Sequence, residues 1–188
     1  VRDGLWVFAY GSLMWRPDFP HVEVLAARLW GYHRALCILS NHYRGTPERP
    51  GLVLGLDRGG SCLGRAFWVA PDDVEEARQR LIAREMIGGV YRPCYLPVQL
   101  EDGRTVSAWA FVADRSHDQY YRVSDPAALV GLVCQGTGCA GTSRDYLAET
   151  VAHLTDLGIA DSALHRLLAQ VDAARQSGRL SPVGTSAP

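Results

Sequence analysis

The stretch YRPCYLPVQLEDGRTVSAWAFVA, residues 91–113, decides the fold. It holds two strand candidates, Tyr91–Leu100 and Thr105–Ala113, separated by Asp102-Gly103, a dipeptide suited to a tight hairpin turn. Two adjacent strands joined this way pair antiparallel, so the search for neighbours begins with a sheet.

Working outward toward the N-terminus, the sheet has many further candidates: Leu5–Ala9, Val22–Trp30, His33–Leu39, Gly51–Leu56 and Cys62–Ala70, several divided by Gly31 or Gly59-Gly60. Residues 40–50, SNHYRGTPERP, are too polar and too broken by proline for a strand, and are expected to run over the surface or across a site. One helix interrupts the series. Pro71-Asp72-Asp73 marks its start, Val74, Ala77, Leu81 and Ile82 follow helical spacing, and Gly88-Gly89 ends it. Beyond residue 125 the pattern becomes helical over Pro126–Cys134, about Ser143–Leu157, and Asp161–Gln176. The expected fold class is α+β: a small mixed, mainly antiparallel sheet or barrel with helices packed outside. One domain is expected over residues 1–176, with 177–188 as a flexible tail.

Composition narrows the function classes. The 188 residues are 47% apolar and 21% charged, ordinary globular values. A net charge of −1 generates no field that would gather nucleic acid or an anionic membrane. No apolar run approaches the ~20 residues of a membrane span. The 5 cysteines form no C-x-x-C pair and no signal-peptide pattern precedes them, which fits reduced thiols in the cytoplasm. The 6 histidines show no zinc-ligand spacing, and ordinary packing is expected at Cys134 and Cys139. No metal or other cofactor is expected, and no obligate protein partner.

Two features carry chemistry. The apolar stripe of the helix from residue 72 passes through Val74, Ala77 and Leu81 and reaches Glu85 four residues on, where an apolar side chain belongs. A glutamate on a buried face must be paired, protonated or working. Burial and the negative end of the helix dipole both raise its pKa, the tuning a general base near neutral pH needs. Arg84 and Arg80 are near in sequence but not on the same helical face. The second feature is Phe8-Ala9-Tyr10-Gly11-Ser12-Leu13-Met14-Trp15. A glycine at a strand end lets backbone approach a ligand, and the N–H groups beyond it can hold an anion or a developing oxyanion.

Three stretches together, V-F-A-Y-G-S-L-M-W, R-G-x-P-x-x-P-G at 44–51 and R-E-x-x-G-G-x-Y-R-P at 84–93, resemble the ChaC-type γ-glutamylcyclotransferases. The resemblance runs in order from about residue 5 to about residue 157. It implies a small β-barrel with flanking helices, and cleavage of glutathione to 5-oxoproline and Cys-Gly without a cofactor. It also implies that Glu85 is the catalytic glutamate, that Tyr10, Gly11, Ser12 and Leu13 bind the γ-glutamyl moiety, and that Tyr146 is a late substrate-binding tyrosine. Glu76 stands where some relatives have a second acid, half a turn off on a continuous helix, and Arg44 could clamp a carboxylate. The chain departs from the pattern at Tyr43, before Arg44-Gly45, and at Val90, after Gly88-Gly89. These changes touch substrate-facing loops and bear on substrate preference more than on reaction type. Related readings are the same chemistry on another γ-glutamyl amine or peptide, and a non-catalytic binding protein on the same fold.

Gly136-Thr-Gly138-Cys-Ala-Gly141 is literally G-x-G-x-x-G. A dinucleotide-binding unit needs a strand before it and a second strand after its helix, and neither is available here. A helix–helix turn is expected instead.

Overall fold

A computed structural model describes residues 3–122 and 125–178. Its first strands are β1 (Leu5–Ala9), β2 (Glu23–Ser40) and β3 (Gly51–Val69), followed by helix α1 (Val74–Glu85). The hairpin read from the sequence is β4 (Tyr91–Leu100) and β5 (Thr105–Ala113). The five strands close into a barrel in the order β1-β3-β2-β4-β5. All the registered pairs are antiparallel except β1 with β5, where Trp6 lies opposite Ala108 and Val7 opposite Trp109 in parallel. The barrel is therefore mixed and mainly antiparallel, as the sequence led us to expect.

The hairpin turn has Gly103 at φ +90, with Gly103 N–H donating to Leu100 O at 3.0 Å. The register of β4 with β2 runs from Leu100 to Val98, and Pro93 and Pro97 fall outside it. Strand positions lacking an N–H are tolerated there, where the β2 ladder does not need it.

Two boundaries differ from the sequence reading. Val22–Trp30 and His33–Leu39 form one strand, β2, and Gly51–Leu56 and Cys62–Ala70 form another, β3. Gly31 sits at φ +82 and Gly59 and Gly60 at φ +104 and +69. Glycine at positive φ bends a strand without ending its pairing, so a turn signal became a kink.

The chain divides into two compact units. The first takes residues up to Ala35 and Gly55–Asp118, hence most of the barrel and α1. Its interior is built from side chains such as Val7, Phe8, Leu29, Phe67 and Phe111, with Ala77 and Leu81 of α1 also buried. Trp6 and Trp68, cross-strand partners, pack with tilted rings 5.2 Å apart between centroids.

The second unit takes Leu36–Leu54 and the chain from Gln119 onward. It contains α2 (Pro126–Gln135), the two-residue strands β6 (Thr137–Gly138) and β7 (Gly141–Thr142), α3 (Ser143–Asp156) and α4 (Ser162–Gln176). Each helix starts on a capping side chain: Asp125 accepts from Ala127 N–H at 2.9 Å, Thr142 Oγ1 from Asp145 N–H at 2.9 Å, and Asp161 from Leu164 N–H at 3.2 Å. Leu132, Leu147, Leu154 and Val171 are buried in this unit. The tail expected at 177–188 begins with a turn at Ser177-Gly178, and 179–188 lie outside the described residues.

Ser143 is fully buried, and its Oγ both donates to Leu52 O at 2.7 Å and accepts from Leu52 N–H at 2.9 Å. Ser143→Ala strands both Leu52 groups and should cost about 1–3 kcal/mol in denaturant unfolding. A cost below about 0.5 kcal/mol would mean that water replaces the hydroxyl.

The expected helix–helix turn at 136–141 is the tight β6–β7 hairpin, with Gly141 at φ +105. Cys139 N–H and Ala140 N–H donate to His42 O and Tyr43 O at 3.0 and 2.9 Å, which ties the hairpin to the polar loop. Backbone approaches side-chain distance here. A Cβ on Gly136 would sit 2.3 Å from Gly51 Cα, and one on Gly138 would sit 2.2 Å from His42 O. The glycines of the G-x-G-x-x-G string make room for a neighbouring loop.

Candidate active site

The turn after β1 and the end of α1 both belong to the first unit. β1 ends at Ala9, Tyr10 is buried, and Gly11 leads into a single 3₁₀ turn over Ser12–Met14 with φ −129 and ψ −138. Met14 N–H donates to Gly11 O at 2.9 Å. The first N–H groups of such a turn have no intrahelical acceptor and are available to an anion. Leu13 and Met14 are buried and anchor the turn from beneath.

Three arginines hold this turn. Arg34, only 6% exposed, donates from Nε to Tyr10 O and from Nη2 to Leu63 O at 2.6 Å. Arg65 Nη1 donates to Met14 O at 3.1 Å. Arg84 Nη2 donates to Ser12 Oγ at 2.8 Å, and its Nη1 to Arg16 O at 2.6 Å and Asp18 Oδ2 at 2.7 Å. Guanidinium is the right group for the task, since its planar fork can serve several acceptors at once and never deprotonates.

Glu85 is the last residue of α1, and Met86 N–H closes the helix on Ile82 O at 3.0 Å. Its side chain is 18% exposed. Burial pushes the carboxyl pKa up, and the Arg84 guanidinium, with Nε 3.3 Å from Glu85 Oε1, pulls it partly back. The stripe argument for Glu85 therefore describes its surroundings correctly, and Ile82, which follows helical spacing but lies outside that stripe, is 48% exposed. The expectation that Arg84 stands apart from Glu85 is corrected. Side chains one residue apart diverge along a helix, but Arg84 folds over the helix terminus to reach residues 12–18 and passes Glu85 on the way.

The raised pKa has a consequence for stability. A carboxyl whose folded-state pKa lies above its unfolded value stabilises the fold fully below the unfolded pKa, and that contribution is lost as pH rises through the folded pKa. At neutral pH the ionised Glu85 is a cost. Glu85→Gln should therefore melt higher than the wild type at pH 7, and the advantage should shrink as pH falls toward about 4. Melting temperatures from pH 4 to 8 check this, and a difference that does not vary with pH would mean the carboxylate is fully solvated.

Of the other sequence candidates, Glu76 is exposed and pairs with Arg80 at 2.6 Å. Val90, the inserted residue, is buried, and its carbonyl accepts from Asp114 N–H at 2.8 Å. Tyr146 belongs to the second unit, as does Arg44. Tyr146 Oη accepts from Leu54 N–H at 3.2 Å, and the Arg44 guanidinium lies over its ring at 5.4 Å. Arg44 is half-buried against this ring and donates to Thr142 O at 3.4 Å.

Sequence reasoning missed Arg34 and Arg65 and dismissed Arg84. Arg34 leaves a trace, a charge beside the apolar run Ala35–Leu39 of a strand. Arg84 leaves another, its place directly before Glu85 in the R-E motif. Cys37, Cys62, Cys94, Cys134 and Cys139 form no disulfide. Among the described residues no group of three or more His, Cys, Asp or Glu side chains could hold a metal ion, and no helix is long and apolar enough to cross a membrane.

The fold is that of a γ-glutamylcyclotransferase: a yeast enzyme described as specific to glutathione superimposes with a TM-score of 0.80 over 92% of this chain and 100% of its own, at 20% identity. The ChaC-like protein family profile matches residues 5–174, and this chain belongs to that family. It is 36% identical over 167 residues to the glutathione-specific γ-glutamylcyclotransferase of Escherichia coli, covering 89% of this chain and 72% of that protein. It is also 37% identical over 150 residues to a glutathione-specific γ-glutamylcyclotransferase 1 of Danio rerio, covering 78% and 76%.

Proposed function

We propose that this protein cleaves glutathione to 5-oxoproline and Cys-Gly, with Glu85 as general base and then general acid. The observation that carries the reading is a part-buried carboxyl, raised in pKa, linked by one guanidinium to the Tyr-Gly-Ser-Leu turn. The likeness to the E. coli and fish enzymes supports the substrate. The family match spans both compact units, which supports their acting as one functional domain. Cysteines outside any disulfide fit a reducing cytoplasm.

In this reaction the γ-glutamyl α-amine attacks its own δ-carbonyl. A C–N bond closes the five-membered lactam, and the amide C–N bond to cysteine breaks. Glu85 takes a proton from the α-ammonium and returns one to the departing amine, so no water or external nucleophile is consumed. The rest is positioning, since the extended substrate must be bent until nitrogen and carbon are about 3–3.5 Å apart. Tyr10, Gly11, Ser12 and Leu13 hold the γ-glutamyl end, where the clamped turn offers N–H groups and a hydroxyl in a field of three guanidiniums. Tyr146 is assigned a second substrate contact.

Purified protein incubated with glutathione should release 5-oxoproline and Cys-Gly in equal amounts, read by mass spectrometry. Release from another γ-glutamyl amine or peptide but not from glutathione would keep the chemistry and change the substrate. No release from any of them by folded protein would leave a binding role.

A further inference from the structure

The guanidinium of Arg84 touches both halves of the candidate site. Its Nε faces Glu85 Oε1 at 3.3 Å, its Nη2 donates to Ser12 Oγ at 2.8 Å, and its Nη1 donates to Arg16 O and Asp18 Oδ2 at 2.6 and 2.7 Å. All three nitrogens are thus committed, and three of the contacts cross 66 to 72 positions of sequence. A surface arginine gains little from a single exposed carboxylate, and holding a long side chain in one geometry costs entropy. Four acceptors arranged around one planar fork describe a fixed part, and the Arg84 side chain is only 27% exposed.

The other charges nearby are arranged around it. Asp18 neutralises the outer edge of the guanidinium. Arg80, one turn back on α1, donates to Asp18 O at 3.3 Å and is itself paired with Glu76 at 2.6 Å. Arg84 is the cation set against Glu85, opposing the effect of burial on that carboxyl.

We propose that Arg84 is a positioning residue for lactam formation, a staple that holds the Ser12 turn in register with the Glu85 carboxylate. The inference rests on the cyclisation reading above. A substrate gripped by the turn must present its amine to Glu85, so the spacing between turn and carboxylate sets whether the proton can move. Misplacing reacting groups by about 1 Å can cost on the order of 10² in rate. Lysine cannot substitute, because an ammonium is a point charge on a flexible stem and cannot span the three sites together.

The test is the pH profile of 5-oxoproline release by the wild type, Arg84→Lys, Arg84→Met, Ser12→Ala, and the Ser12→Ala/Arg84→Lys double variant. Arg84→Lys should fold and melt near the wild type yet lose about 10- to 100-fold in kcat/KM. Arg84→Met should lose at least as much, and its acid limb should move to higher pH, because the cation that lowers the Glu85 pKa is gone. The double variant should lose less than the product of the single losses, since both changes break one link. A stability role alone would lower the melting temperature and leave the acid limb and the activity per folded molecule unchanged. Should Arg84→Met fail to fold, Arg84→Lys and the double variant decide the matter.

Recovery of Arg84→Lys to within threefold of the wild type would overturn the positioning role and leave only charge. Strictly multiplicative losses in the double variant would overturn it too. A wild type silent toward every γ-glutamyl compound would remove the cyclisation reading and this inference together, whereas an active wild type with indifferent Arg84 variants would remove this inference alone.

Discussion

Glu85→Gln is expected to lower kcat for 5-oxoproline release by about 10²–10⁴, with KM changed far less. Glutamine keeps the volume and one hydrogen-bonding oxygen of the side chain, so the turn at Ser12 and the Arg84 contacts should persist. What it cannot do is accept a proton from the α-ammonium of the substrate, and a protonated amine has no lone pair to attack with. Because burial raises the pKa of Glu85, the acid limb of wild-type kcat/KM should lie above the ordinary carboxylate range, and the base form should accumulate as pH rises through it. Bound glutathione measured by calorimetry should remain near wild-type affinity in the variant. Equal turnover by Glu85→Gln and wild type would mean that another group moves the proton. A joint loss of binding and turnover would make Glu85 a substrate anchor.

Gly136→Ala should destabilise the protein by about 3 kcal/mol or more, a large effect for one methyl group. The added Cβ would meet Gly51 Cα at 2.3 Å, Arg44 O at 2.5 Å and Gly51 N at 3.0 Å, and all three are backbone atoms. No rotamer can relieve such a clash, so the loop carrying Arg44 and Gly51 must separate from the end of α2. Leu52, next along the chain, is held by Ser143, so movement at Gly51 also threatens a buried hydrogen-bond pair. Gly103→Ala is a useful contrast. Its Cβ would enter open space, and only the positive φ of +90 opposes it, a cost of about 1–2 kcal/mol. Denaturant unfolding of the two variants separates the mechanisms. A Gly136→Ala protein within about 1 kcal/mol of the wild type would show that the loop stands off from Gly136 in solution.

Much of this molecule follows from local rules. Asp125, Thr142 and Asp161 sit where helix starts need a side-chain acceptor, and the three helices begin there. Asp102-Gly103 made a hairpin because a tight turn needs a residue that tolerates positive φ. Glu85 was conspicuous because the period of a helix is fixed at 3.6 residues, so a carboxylate on the apolar stripe can be recognised without knowing what covers it. The G-x-G-x-x-G string could be set aside because its flanks are helical.

What the tertiary structure alone decided depends on contacts between distant positions, which no local period encodes. Gly31, Gly59 and Gly60 were equally compatible with a turn and with a bend, and pairing with neighbouring strands made them bends within β2 and β3. The barrel closes through the parallel pairing of β1 with β5, about a hundred residues apart in sequence. The clamp on the Tyr10–Met14 turn draws Arg34, Arg65 and Arg84 from two strands and a helix, across 24, 51 and 72 positions. An arginine is long enough to reach many acceptors. Its partner is chosen by where the barrel delivers the backbone carbonyls, which is a property of the folded chain and not of the residues beside it.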